Sequence, residues 1–588
     1  MSQQTPIPSK GLSGRSWVLR PHDPEIALAM SQKLDIPEIM ARVMAGRGVG
    51  LDEAEDFLDP SFMKLMPDPS TFKDMDKAAM RIAQAIRQGE LVAILGDYDV
   101  DGATSAALLY RFIRAAGGKA MTYIPDRLEE GYGPNPEALL GLREKGAGLI
   151  VTVDCGATAF ESLDVAANAG IDVVVIDHHD CEPRLPKAVA VVDPNRVDED
   201  GAYSMLAAVG VVFLAVVAVN RILRKDGHYG NGKGPNLFSW VDLAGLGTVC
   251  DVVPLRGLNR AYVQHGLVVM AQRSNIGIAA LMDVSRVSEK PSAYHMGFVL
   301  GPRINAGGRV GTSGLGVQLL TTEKEDEAKD IAARLDAFNT ERREIEAQVQ
   351  VEAEAQVEEG KGLFGRLVFV CGKGWHPGVV GIVASRLKEK YGKPACVVAL
   401  EDGVGKASAR SVAGFDIGAG IIAARQAGIV SAGGGHPMAA GFTVEAQRCA
   451  ELAEFLASRL DDEVGEAELV PPLHLDGAIS IAGATPGLLG HLEKLAPYGT
   501  GNPEPRFWVS GAQLVRSDII KEKHVRCIFA DPLTGARIKA MAFRSVESDL
   551  GRSLLAGGGT WHIAGRFKLD DWSGKEKVEM LLDDAISA

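Results

Sequence analysis

Between residues 91 and 177, short apolar runs alternate with segments of helical spacing. Residues 91–96, 148–153 and 171–176 are continuous apolar stretches, and residues 103–116 and 157–169 carry apolar positions at helical intervals. Strand and helix in alternation predict a parallel, doubly wound α/β sheet. Strands apolar along their whole length fit a sheet covered on both faces. Each run is followed at once by an aspartate: Asp97, Asp154 and Asp177. The longest apolar run, residues 205–219, falls short of the ~20 residues of a membrane span. It also contains Gly210, so it predicts a buried helix and no membrane association.

Further along, residues 317–359 lack both Gly and Pro and are rich in Glu, Lys, Arg and Ala. They predict one or two long helices acting as a rigid spacer. A second α/β pattern follows, with strands at 367–371, 395–400 and 438–444 and helices at 379–390 and 417–427. Pro471 and Pro472 mark a break. Beyond it the short runs 507–509, 525–530, 537–543, 561–567 and 578–582 predict a small β-barrel. Residues 31–74 read as helical and then irregular, with Pro60, Pro67 and Pro69. The expected division is an N-terminal segment 1–75, an α/β domain 76–260, a helical connector 261–360, a smaller α/β domain 361–468 and a C-terminal barrel 469–588.

Composition narrows the class only a little. A chain of 588 residues predicts three or four domains of ~100–200 residues each. Apolar residues at 46% and charged residues at 23% are ordinary for globular proteins. The net charge of −14 weighs against a polyanionic partner, because phosphate contacts need Lys and Arg. It does not decide the matter: a metal site needs carboxylates, and a basic groove can sit on an acidic protein. Seven scattered cysteines without a CxxC pair fit a reducing cytoplasm and oppose a disulfide frame or a thiolate zinc site. Residues 1–21 carry no apolar segment before a small-residue cleavage site, so no secretory signal is expected.

The chemistry concentrates at the strand ends. Gly96-Asp97-Tyr98-Asp99-Val100-Asp101-Gly102 sets three carboxylates at the carboxyl end of one strand, the edge where open α/β sheets bind ligands. Asp154 and Asp177 are expected on that same edge, with His178 and His179 beside them. Crowded carboxylates repel one another unless cations neutralise them. Mixed Asp and His ligands suit Mn²⁺ or Mg²⁺. Two such ions ~3.5–4 Å apart can clamp both oxygens of an in-line displacement at phosphorus. Taken singly, each piece has a plainer meaning. A strand-end Asp is most often a cap or turn former. The Asp193-Pro194-Asn195 run makes a turn, and Asp251 alone is a loop residue. An EF-hand is set aside, because a strand precedes the string and the downstream Glu is missing.

Asp177-His178-His179, with residues 96–103, 151–156 and 248–255, resembles the DHH phosphoesterase superfamily. Tyr123-Ile124-Pro125-Asp126-Arg127, Glu130-Gly131-Tyr132-Gly133, the glycine- and arginine-rich residues 301–309 and residues 374–381 resemble the RecJ exonuclease family within it. Ser408-Ala409-Arg410-Ser411 and Gly433-Gly434-Gly435-His436-Pro437 resemble the DHHA1 domain, and residues 497–505 the entry to the RecJ OB-fold. The resemblance implies a DHH catalytic domain, a DHHA1 domain and an OB-fold. It implies 5′→3′ degradation of single-stranded DNA to mononucleotides with Mg²⁺ or Mn²⁺, in recombination and repair. It also implies Asp99, Asp101, Asp154, His178 and Asp251 as ligands of two ions, with Asp177 and His179 close by and Asp97 in the motif. A single-stranded-DNA-binding protein, a helicase and a monomeric state are implied in the same way.

An enzyme working from a 5′ end needs a stop for the terminal phosphate, and the arginine fork suits phosphate. Arg127, Arg309 and Arg410 lie in the motifs and are candidates, joined by Ser408 and His436. Residues 433–435 allow close backbone approach to a phosphate, or simply a tight turn. The barrel interleaves Lys521, Lys523, Arg526, Arg537 and Lys539 with Trp508, Trp561 and Trp572, as single-strand-binding OB-folds do. Trp508 and Trp561 are expected in its core. A narrow channel between the two α/β domains would select a single strand over a duplex. Two other readings compete: a small-substrate member of the superfamily acting on oligonucleotides or dinucleotides, and a non-catalytic DNA-binding scaffold.

Overall fold

The computed structural model describes residues 10–126, 130–131, 133–465, 469–570 and 577–588. Two compact units divide the chain: one takes residues 52–341 and 497–503, the other 1–51, 342–496 and 504–588.

The first unit is built on a five-stranded, wholly parallel sheet. Its order is Lys119–Tyr123, Leu91–Gly96, Ala147–Val153, Val173–Ile176, Ala190–Val192. The chain starts in the second strand, steps outward to one edge and then winds the other way. The order therefore reverses beside Leu91–Gly96, and doubly wound sheets bind ligands outside the strand ends at such a switch point. The central strands are buried along nearly their whole length because helices cover both faces. Ala208–Lys225 is a buried helix, as its unbroken apolar pattern requires. One apolar core joins the sheet to that helix and continues through Ile278, Leu300, Ile304, Leu319 and Leu335. The first half of the Gly- and Pro-free segment thus packs into a core. Its two helices, Leu315–Thr321 and Glu325–Glu358, are separated at Thr322.

The second unit holds a six-stranded mixed sheet, ordered Ala432–His436, Ala439–Glu445, Val404–Arg410, Ala395–Glu401, Leu367–Lys373, Leu363–Phe364. Only Leu367–Lys373 and Ala395–Glu401 run parallel. The glycines at 433–435 form neither a turn nor a free loop, but part of the strand Ala432–His436, paired with Ala439–Glu445. A Cβ at Gly433 would stand 2.8 Å from the Ile421 side chain, and one at Gly435 2.3 Å from the Ala439 carbonyl. Close packing, not turn geometry, demands glycine there. Five further strands, Phe507–Ile520, His524–Ala530, Arg537–Ala542, Lys577–Ser587 and Thr560–Asp570, pair in a closed ring, the predicted barrel. Among the described residues, no single helix is long and apolar enough to cross a membrane.

The N-terminal strand Trp17–Leu19 pairs with Leu473–Leu475 and is tied to the barrel's last strand through Asp584. This carboxylate, 0% exposed, accepts Ser13 N–H at 2.9 Å, Ser13 Oγ–H at 2.7 Å and Trp17 Nε1–H at 2.8 Å. An orphaned buried donor costs about 1–3 kcal/mol. In Asp584→Ala, amide exchange at residues 13–19 should therefore quicken by roughly tenfold or more. Unchanged exchange there would show that the anchor lies elsewhere.

Candidate metal centre

The loop at residues 96–102 is folded so tightly that it admits no side chain at its end. A Cβ at Gly102 would lie 2.4 Å from the Asp97 carbonyl oxygen, and one at Gly96 2.9 Å from the Gly102 carbonyl oxygen. Asp99 caps the helix Val100–Ala115, its Oδ1 accepting Asp101 N–H at 2.8 Å and Gly102 N–H at 3.1 Å. Asp101 points instead at the start of Ala208–Lys225. Its two oxygens accept Ala208 N–H at 2.7 Å and Val209 N–H at 3.0 Å, where unsatisfied amides and the helix dipole favour an anion. Helix Val241–Cys250 approaches this carboxylate at a glycine. A Cβ at Gly247 would lie 2.8 Å from Asp101 Oδ1 and 2.3 Å from Thr104 Oγ1.

The neighbouring strand ends supply the rest. Asp154 N–H donates to the Ile176 carbonyl and Asp177 N–H to the Val192 carbonyl, each at 3.0 Å, so the ladder aligns both residues on one edge. Asp154 takes a left-handed backbone, φ 61°, and its Oδ1 lies 3.3 Å from His178 Nε2. Asp177 is spent on positioning. Its oxygens accept Ala157 N–H at 3.0 Å, His178 N–H at 2.8 Å and the His179 Nδ1–H at 2.7 Å. The Asp193-Pro194-Asn195 turn does more than turn the chain, since the Asn195 amide donates to the His178 carbonyl and holds that backbone. Asp251 lies, as expected, outside regular structure: it is the C-cap of Val241–Cys250 in the turn that follows, next to Val252 at φ 63°, a conformation a β-branched residue rarely adopts.

These elements converge on His178. Its Nδ1 lies 3.1 Å from the Leu206 carbonyl, which can only accept, so Nδ1 carries the proton. Nε2 then presents a lone pair, and it stands 3.3 Å from Asp154 Oδ1 and 3.9 Å from Asp101 Oδ2, with Asp251 Oδ2 3.7 Å from the ring's other nitrogen. Nε2 and Asp251 Oδ2 are buried without a hydrogen-bond partner. A lone pair beside ionised carboxylates is repulsive unless a proton or a cation lies between them, and a histidine whose other nitrogen is fixed by a carbonyl is the usual metal-ligating arrangement. Ligand atoms of Asp101, His178 and Asp251 lie within 4.8 Å of one another, as do those of Asp97, Asp99 and Asp154 and those of Asp154, His178 and His179. Asp97 thus joins the cluster, and Asp154 and His178 each belong to two of the three groups.

Burial first, and neighbouring carboxylates second, raise Asp101 to about 7 and Asp251 to about 9, and push Asp154 well above the ordinary aspartate range. Burial, then the proximity of His179, lowers His178 to about 4, so its imidazole is neutral. Burial opposes charge on His179 too, but the Asp177 hydrogen bond and charge outweigh it and carry His179 up to about 9.

The remaining candidates belong to other elements. Arg127, Tyr132 and Trp572 fall outside the described residues. Arg309 sits near the end of helix Gly301–Val310. Ser408, Arg410 and His436 share one sheet face: Arg410 and His436 both register with Ala439, and Ser408 with Gly441 beside Gly434. Nothing lies within 4 Å of a Cβ built at Gly434, so that face has an open glycine floor. Arg410 Nη1 donates to Ser408 Oγ at 2.9 Å, beside Gly381 in the first turn of helix Val380–Tyr391. In the barrel, Trp508 and Trp561 are buried core. Arg526 is paired with Asp518, and Lys539 with Asp570 and Glu579; Lys521, Lys523 and Arg537 are exposed.

Three family models match the chain: the DHH family N-terminal domain over residues 91–237, the DHHA1 domain over 363–462 and the RecJ OB domain over 475–584. The single-stranded-DNA-specific exonuclease RecJ of Bacillus subtilis (strain 168) is 33% identical over 582 residues, covering 97% of this chain and 70% of that protein. RecJ of Escherichia coli (strain K12) is 33% identical over 567 residues, covering 94% and 96%. The crystal structure of Thermus thermophilus RecJ in complex with Mn²⁺ superposes with a TM-score of 0.82 at 27% identity, over 97% of this chain and 79% of that one. The Mg²⁺ complex from the same organism gives 0.75 at 25% identity, over 97% and 78%. The chain belongs to the RecJ family of single-stranded-DNA-specific exonucleases.

Proposed function

We propose that this chain hydrolyses single-stranded DNA from the 5′ end to 5′-mononucleotides, using two divalent ions, Mn²⁺ or Mg²⁺. The carrying observation is the buried, unpartnered His178 Nε2 among the Asp101 and Asp154 carboxylates. Asp97, Asp99 and Asp154 would hold one ion and Asp101, His178 and Asp251 the other, with Asp154 beside both. When bound, such ions neutralise the carboxylates, polarise a phosphoryl oxygen and make water a stronger nucleophile at neutral pH. Asp177 fixes the two histidines, the Leu206 carbonyl selects the His178 tautomer, and the start of Ala208–Lys225 aims Asp101. Ser408, Arg410 and His436, on a glycine-floored face that a backbone can approach closely, would receive DNA phosphates, as would Arg127 and Arg309. The exposed Lys521, Lys523 and Arg537 give the barrel a sequence-independent attraction for the strand. On this reading the enzyme works as a cytoplasmic monomer in recombination and repair, alongside a single-stranded-DNA-binding protein and a helicase.

A 5′-labelled single strand with Mn²⁺ should release labelled mononucleotide, while a 5′-blocked strand and a blunt duplex resist. Label appearing only in long fragments, or digestion from the 3′ end, contradicts the reading.

Asp154→Ala should lower cleavage by at least about 100-fold while DNA affinity stays within a few-fold, and Asp177→Asn should cost about 10- to 100-fold through loosened histidines. Gel-shift and turnover measurements separate the two effects. Full activity in Asp154→Ala removes that residue from the mechanism.

A cation must displace the protons that the raised Asp101 and Asp251 hold, so Mn²⁺ affinity should rise with pH. Above the ordinary aspartate range, the folded cation-free chain keeps protons that the unfolded chain has lost. Its stability therefore falls as pH climbs towards about 9, the Asp251 value. Melting temperatures in EDTA and in Mn²⁺ across about pH 5–9 should diverge as pH rises. A gap that is constant or narrows contradicts this.

A further inference from the structure

The segment His295–Leu300 is a π-helical turn running directly into the α-helix Gly301–Val310. Turns of this kind are rare and concentrate at functional sites. At its start, Tyr294 and Phe298, four residues apart, stack ring on ring with centroids 5.3 Å apart and planes 24° apart. Both rings face water: Tyr294 is 63% exposed and Phe298 73%. Among the described residues, no other ring pair leaves both members so open.

Packing fixes where this pair stands. Cys250 Sγ donates to the Met296 carbonyl at 3.4 Å. A Cβ at Gly297 would lie 3.2 Å from Val249, and one at Gly301 2.5 Å from Cys250 Sγ. The π turn is therefore seated on the last turn of Val241–Cys250, whose next residue is Asp251. At the far end of the same continuous helix, a Cβ at Gly308 would meet the Tyr98 carbonyl at 3.0 Å, within the carboxylate loop. One end of this helix thus packs on the carboxylate loop and the other on the turn before Asp251, and the aromatic pair sits at the latter end.

We infer that Tyr294 and Phe298 are a stacking platform for one or two bases of the single strand held at the metal centre. This rests on the proposed nuclease reading and adds residues that position the substrate. Two flat, solvated rings offer a π face that every base matches, which suits recognition without sequence preference. The helix end on which they sit packs against Val249 and Cys250, the two residues before Asp251.

The test scans single abasic residues through a 5′-phosphorylated oligonucleotide and measures kcat/KM with Mn²⁺ for the full-length enzyme. One or two positions should show a penalty of about 5- to 150-fold, the range for loss of one stacked base. The penalty should vanish in the Tyr294→Ala/Phe298→Ala variant, and also in Tyr294→Leu/Phe298→Leu, which keeps apolar bulk without a flat ring. Tyr294→Phe and Phe298→Tyr should retain it. An equal penalty in the wild-type and leucine variants overturns the platform while leaving the nuclease reading intact. A wild-type chain that cleaves no single strand at all overturns the nuclease reading itself.

Discussion

Mutual repulsion among buried carboxylates is the constraint from which this structure is best understood. Asp101 and Asp154 are almost wholly buried, yet they face a histidine nitrogen that carries only a lone pair. Left alone, that arrangement is unfavourable, and the raised Asp101, Asp154 and Asp251 record it. The surrounding fold over-determines it. Backbone amides grip Asp99, Asp101 and Asp177, a carbonyl sets the His178 tautomer, and Asp154 and Val252 are held at positive φ. Strain and like charge gathered at one sheet edge are what a cation site looks like before its cations are counted.

The fold serves that edge. The strand order reverses beside Leu91–Gly96, which opens a crevice where the Asp97–Asp101 loop, Asp154 and Asp177 meet. Two helices then complete the site from outside the sheet: Ala208–Lys225 with its amino end on Asp101, and Val241–Cys250 with Asp251 as its cap. In the other unit a mixed sheet lines up Ser408, Arg410 and His436 across small residues, so one open face gathers the polar groups suited to phosphate.

Much of this was legible in the chain itself. The strand Leu91–Gly96 matches its apolar run, the barrel strands fall where short β-like runs end in Gly and Asp turns, and Asp97, Asp154 and Asp177 each follow a strand end. What the pattern hid has physical reasons. Lys119–Tyr123 is an edge strand and Val404–Arg410 is polar on one face, so neither shows a continuous apolar run. Ala432–His436 is mostly glycine, which usually signals a turn, but here it makes room for a neighbouring helix. Asp251 ends a helix whose apolar residues point all round, a pattern without a polar face to announce it. Asn195 and Gly247 act only through three-dimensional contact, and spacing along the chain gives no hint of them.

The most direct test of the central claim is anomalous diffraction from crystals of the full-length protein soaked in Mn²⁺. The account predicts two manganese peaks ~3.5–4 Å apart, one of them in coordination contact with His178 Nε2. Manganese bound only elsewhere, with His178 Nε2 still without a ligand, would contradict it.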